Sequence, residues 1–116
     1  MNRQPDIPSI AVTYTYIWEF DVRPGQESEF GRHYGPDGTW VQLFRTSMGY
    51  LDTVLLRDLT RPGRYVTIDR WESERAYRDF RSAHEKEFTA LDSRCETLTF
   101  AERELGRFEA VRSDAA

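Results

Sequence analysis

Between Ile10 and Phe20 the chain alternates without interruption, and no other feature limits its fold as tightly. Ile10, Val12, Tyr14, Tyr16, Trp18 and Phe20 share one face, and Ala11, Thr13, Thr15, Ile17 and Glu19 share the other. Successive side chains of a strand point to opposite sides of its sheet. A period of two, rich in β-branched and aromatic residues, therefore predicts a strand. An antiparallel sheet with one wet side would carry polar residues there. The second face here has Ile17 and Ala11 beside two threonines, and only Glu19 is charged. Both faces of this strand need cover.

The rest of the chain supplies one cover. Arg23-Pro24-Gly25 stops the strand, and Gln26 to Tyr34 reads as a short helix with Phe30 and Tyr34 on one side. After the turn residues Gly35-Pro36-Asp37-Gly38, helix resumes over Trp40 to Arg45, with Trp40, Leu43 and Phe44 at helical spacing, until Met48-Gly49-Tyr50 breaks it. Leu51 to Leu59 and Arg64 to Trp71 are strands, joined into a hairpin by Thr60-Arg61-Pro62-Gly63. Ser73 is placed to cap a helix that opens with Glu74-Arg75-Ala76 and carries Tyr77, Phe80, Ala83 and His84 at helical spacing. Helix continues in pieces from Glu85 to Cys95. A short helical turn over Ala101 to Leu105, ended by Gly106, precedes a last strand from Arg107 to Val111. The order is β-α-β-β-α-β, the ferredoxin-like α+β arrangement, with helices on one face of a single antiparallel sheet. The other face needs a second cover, and the economical one is a second copy of the chain, which predicts a homodimer.

A length of 116 residues fits one domain. Residues 10–111 form it, and 1–9 and 112–116 read as tails. A net charge of −4 argues against nucleic acid and anionic membrane surfaces as partners. No apolar stretch is long enough for a membrane-spanning helix. Cys95 stands alone and cannot form an internal disulfide, and MNRQPDIPS lacks the apolar run of a signal peptide, so a cytoplasmic location is expected. The two histidines, His33 and His84, have no metal-ligand spacing, and no metal is expected.

Three segments in order carry a family resemblance. They are Glu19-Phe20 followed by Val22-Arg23-Pro24-Gly25, then Gly49-Tyr50-Leu51, then the run Tyr65 to Ser73 followed by Tyr77 and Phe80. Together they resemble the antibiotic biosynthesis monooxygenase (ABM) domain of the dimeric α+β barrel superfamily. The resemblance implies a dimeric barrel and admits several activities. Haem-degrading members carry an Asn, a Trp and a His where this chain has Trp18, Phe80 and about Ala90, so that activity is not expected. Quinone-forming members carry a Trp at the end of the third strand and a Tyr on the next helix. Trp71 and Tyr77 match these, Arg94 corresponds to a later Arg, and Thr67 stands where those members have an Asn. The activity so implied is cofactor-independent oxidation of a phenolic or polycyclic aromatic metabolite to a quinone by O₂.

The residues themselves point to an aromatic pocket. Tyr14, Tyr16 and Trp18 face the helices, where they would line a largely apolar space with a few polar handles. The resemblance adds Trp71, Phe80 and Arg94 as candidate ligand contacts. For proton handling the candidates are His84, whose imidazole suits removal of a phenolic proton, and Tyr16, and the resemblance implies Tyr77 as a group that positions the substrate. Arg70, Arg75, Arg78 and Arg81 read as a solvated, salt-bridged face. The same pocket would also serve a polyketide-type cyclase or isomerase, or a dimeric barrel that binds a small aromatic molecule without chemistry.

Overall fold

The computed structural model describes residues 13–111, so Ile10, Val12 and the expected tails lie outside the described residues. The alternating tract forms β1, Tyr14–Val22. It is followed by α1 (Glu27–Tyr34), α2 (Thr39–Phe44), β2 (Tyr50–Arg57), β3 (Arg64–Trp71), α3 (Glu74–Ala83), α4 (Glu85–Cys95), a single 3₁₀ turn (Glu96–Leu98) and β4 (Thr99–Glu109). The strands make one antiparallel sheet in the order β2-β3-β1-β4, which is the ferredoxin-like α+β topology. Ser73 caps α3 as its sequence suggests, its Oγ accepting from the Ala76 N–H at 3.1 Å.

The last fifth of the chain departs from the expectation. Ala101 to Leu105 is strand, not a helical turn, and β4 starts at Thr99. Ala, Glu, Arg and Leu are good helix formers, but pairing along the whole of β1 overrides that weak preference. A register shift opposite Ile17 and Trp18 interrupts the alternation of β4 and hides it from the sequence. Gly106 does not end an element. It pairs with Ile17 inside β4, and a Cβ there would lie 2.6 Å from the Phe108 ring.

Register fixes what each face carries. On the helix side, rows across the sheet read Tyr14–Trp71–Tyr50, Tyr16–Asp69–Thr53 and Trp18–Thr67–Leu55. On the other side they read Thr15–Arg70–Asp52, Ile17–Ile68–Val54 and Glu19–Val66–Leu56. The core lies on the helix side. There Phe20, Phe30, Tyr34, Phe44, Trp71 and Phe80 form one buried cluster of edge-on and stacked rings. Gly49, at φ +94°, lets the chain enter β2 directly beneath α3, and a Cβ on it would stand 2.6 Å from the Ala76 Cβ.

The opposite side holds a charged cluster at one end. Glu19 is buried and accepts from Arg64 Nε at 2.7 Å and from Arg103 Nη2 at 3.0 Å. The Arg103 and Arg64 guanidinium groups hold its carboxyl down to about 2 against the opposing effect of burial. Between this cluster and the Thr15–Arg70–Asp52 row the side is apolar, with Ile17 and Ile68 half-buried and Val54 and Leu56 exposed.

Candidate active site

Between the sheet and the helices the core does not close. A cavity of about 260 Å³ remains, just under the ~300–1,000 Å³ of typical ligand pockets. Its floor is Tyr16, Trp18 and Phe20 of β1 with Thr67 and Asp69 of β3 and Thr53 of β2. Its walls are Tyr34 of α1, Trp40, Val41 and Phe44 of α2, Tyr77 and Arg81 of α3, and Phe88 of α4. Asp92 and Glu102 add two carboxylates. The floor follows from strand alternation, which sends every second residue of β1 and β3 to this side.

The polar groups are few and differently disposed. Tyr16 lies edge-on to Tyr77 at 5.3 Å and to Trp18 at 5.7 Å, and its hydroxyl donates to Glu104 at 3.3 Å. Burial, with the nearby Tyr77 and Glu104, pushes the Tyr16 phenol up to about 12, so it keeps its proton at neutral pH and acts as a donor. Burial also raises the Tyr77 phenol, whose oxygen accepts from Arg81 Nη1 at 3.2 Å. The Arg81 guanidinium lies 3.8 Å over the centre of the Phe88 ring. Arg81 thus belongs to the cavity and not to a wholly solvated face, whereas Arg70 pairs with Asp52 and Arg78 with Glu74.

Asp69 is the group that the sequence reading passed over. It sits partly buried on the floor, and its Oδ1 accepts from Thr53 Oγ1 at 2.6 Å. Thr53 Oγ1 is in turn 2.7 Å from the Tyr50 hydroxyl. Burial pushes the Asp69 carboxyl up to about 6; the Thr53 hydrogen bond pulls it down and the charge of Asp52 adds to the rise. The signal was present in the sequence. The alternation of Tyr65, Thr67, Asp69 and Trp71 puts a carboxylate on an otherwise uncharged buried face.

Of the residues expected at the site, Tyr16, Trp18 and Tyr77 come together on the cavity, and the others lie off it. Trp71 is fully buried behind the wall, against Tyr50, Phe44, Tyr77 and Phe80, and its Nε1 has no hydrogen-bond partner. Phe80 is buried in the same cluster. Tyr14 borders a separate hollow with Glu74 and Arg107. Arg94 is exposed in the last turn of α4. His84 occupies the break between α3 and α4. Its ring stacks on Phe80 at 5.4 Å, with Nε2 3.4 Å from Thr46 Oγ1 and Nδ1 3.6 Å from the Glu87 carboxylate. His33 is buried on α1, 3.0 Å from Thr39 Oγ1. Among the described residues no cluster of three or more His, Cys, Asp or Glu is placed to hold a metal ion. No helix among them is long and apolar enough to cross a membrane.

The family model of the antibiotic biosynthesis monooxygenases matches residues 13–90, from the start of β1 into α4. The chain belongs to this family. Among solved structures it is similar to SnoaB of Streptomyces nogalater, described as a cofactor-independent oxygenase, at 22% identity and a TM-score of 0.67, covering 91% of this chain and 100% of that one. A candidate antibiotic biosynthesis monooxygenase of Bordetella bronchiseptica is 23% identical with a TM-score of 0.66, over 87% of this chain and 99% of that one. One from Deinococcus radiodurans is 14% identical with a TM-score of 0.70, over 86% and 94%. At these identities the ABM structures share the fold. No curated protein matches the chain in sequence.

Proposed function

We propose that the protein is a cofactor-independent monooxygenase that oxidises a small phenolic or polycyclic aromatic molecule to a quinone with O₂. The observation that carries this reading is the cavity, whose aromatic floor and walls surround a few polar groups. Family membership and the fold shared with SnoaB support it. An anthrone-type substrate illustrates the chemistry. Its phenolic tautomer loses the O–H proton and keeps the electron pair as an anion. The anion passes one electron to O₂, and the radical pair combines at the ring carbon as a hydroperoxide. Loss of water then leaves a carbonyl, so a CH₂ becomes C=O, with one oxygen atom in the product and the other in water.

The protein's contribution is desolvation, orientation and hydrogen bonding. Trp18, Trp40, Phe44 and Phe88 hold the ring system away from water, where an oxyanion gains most from a fixed donor. Tyr16, protonated at neutral pH, supplies such a donor when its O–H turns from Glu104 to the substrate. The active unit is a homodimer joined through the sheet side that carries Ile17, Ile68, Val54 and Leu56, whose apolar character calls for cover.

Oxygen uptake by metal-free protein across a panel of anthrones and hydroquinones tests the function. Substrate-dependent consumption is expected, and none across the panel would refute the reading. Turnover that persists undiminished without O₂ would indicate a cyclase or isomerase instead.

A further inference from the structure

We infer that Asp69 is the catalytic base of this cavity, receiving the phenolic proton of the substrate while Thr53 and Tyr50 hold its carboxylate in place. The inference deepens the proposed function and rests on its reading of the cavity as the site of a phenolic aromatic. The sheet register puts Tyr16, Asp69 and Thr53 in one row across the cavity floor. Asp69 is the carboxylate in that row. Its Oδ1 is fixed by Thr53 Oγ1 at 2.6 Å, and the Thr53 oxygen can accept from the Tyr50 hydroxyl at 2.7 Å, completing a chain Tyr50–Thr53–Asp69. With Oδ1 so engaged, Oδ2 has no hydrogen-bonding partner among the described residues.

The other proton acceptors considered are worse placed. Tyr16 keeps its proton, the Tyr77 oxygen is engaged by Arg81, and His84 lies off the cavity, stacked on Phe80. Asp69 also has a suitable proton affinity, because burial pushes its carboxyl up to about 6. A base is most effective when its pKa lies near the working pH. Besides burial, Thr53 and Asp52 of β2 set this value, and the other polar groups that face the same space are Tyr50 of β2, Tyr16 of β1 and Tyr77 and Arg81 of α3, with Asp92 and Glu102 elsewhere on the lining. In the step itself the substrate O–H bond breaks, its proton bonds to a carboxylate oxygen of Asp69, and the electron pair stays on the substrate oxygen.

An anaerobic titration with a chromophoric hydroxyanthrone separates this step from oxidation. Between pH 5 and 8 the wild type should bind the molecule more tightly as Asp69 ionises through about 6, because its carboxylate then accepts the phenolic O–H, and Asp69→Asn should bind it without that inflection. In air the variant should lose ~10²-fold or more in kcat, as expected for loss of a general base. The wild-type kcat should rise with pH through about 6 and the variant should lack that inflection. Thr53→Val, which removes a hydrogen bond that favours the carboxylate, should move the inflection upward, and it serves if Asp69→Asn does not fold. An inflection in binding near pH 6 shared by both proteins, or absent from both, would overturn the role of Asp69. That inflection in the wild type alone without oxygen uptake would keep Asp69 as base and refute only the monooxygenase. Failure of the wild type to bind any member of the panel would refute both.

Discussion

Gly49 is where the fold and the site depend on one missing side chain. Its φ of +94° is a conformation that an L residue adopts at a cost of ~1–2 kcal/mol. A Cβ there would stand 2.6 Å from the Ala76 Cβ, well inside contact distance. Ala76 is in the first turn of α3, held by the Ser73 cap, and Gly49 is tied to the end of β3 by the Glu72 N–H at 2.7 Å from its carbonyl. Neither partner can retreat without moving an element, and overpacking of this kind costs about 1–3 kcal/mol. Gly49→Ala should therefore destabilise the protein by about 2–5 kcal/mol, against ~5–15 kcal/mol for a whole domain. At roughly 4–8 °C per kcal/mol the thermal midpoint should fall by at least ~8 °C. Urea denaturation at fixed protein concentration measures the loss, and the second variant Ala76→Gly identifies its cause. Alone, Ala76→Gly should cost about 0.5–1 kcal/mol for a glycine in a helix. In combination it should relieve the overpacking, leaving the double variant about 1–3 kcal/mol more stable than the sum of the singles. A Gly49→Ala protein within ~1 kcal/mol of wild type, or strict additivity, would refute the close approach of β2 and α3.

Two further outcomes follow from the opposite side of the sheet. Glu19 has a carboxyl held at about 2 when folded against an ordinary value of 4.5. A depressed folded value stabilises above the unfolded one, so this contribution is present at neutral pH and is lost as pH falls from about 4.5 through about 2. Acid unfolding followed by circular dichroism should be shallower in that window for Glu19→Gln, with a lower starting stability at pH 7, and an unchanged acid profile would contradict the ion cluster. Ile17→Glu, which places a charge in the middle of the Ile17–Ile68–Val54 row, should convert a dimer to a monomer in light scattering at micromolar concentration. A wild type that is itself monomeric there would refute the dimer.

Legibility in the sequence followed the physics that governs each segment. β1, the hairpin and the start of α3 were readable because period-two patterning, turn residues and a Ser cap are local signals, and tertiary packing agrees with them. β4 was not, because its helix-forming residues are held extended by pairing with β1, a non-local interaction, and because its bulge shifts the alternation. At the site, the β1 face led directly to Tyr16 and Trp18, and Tyr77 came from the family resemblance. His84 does share the face of Phe80, one turn before it, but that face meets the closed core and not the cavity, which the helical spacing alone does not reveal. Arg94 was expected only from the family resemblance, and it is exposed in the last turn of α4. Asp69 was legible as a carboxylate on a buried strand face, but its meaning depended on Thr53 arriving beside it from β2.

The most direct test of the oxygenase reading is isotopic. Purified protein is supplied with ¹⁸O₂ and a hydroxyanthrone that it consumes, and the quinone is examined by mass spectrometry after a single turnover. The account predicts one ¹⁸O atom in the new carbonyl and consumption of one O₂ per product, with both the rate and the label dependent on active protein. A product carrying no ¹⁸O, or formed equally fast without O₂, would contradict it.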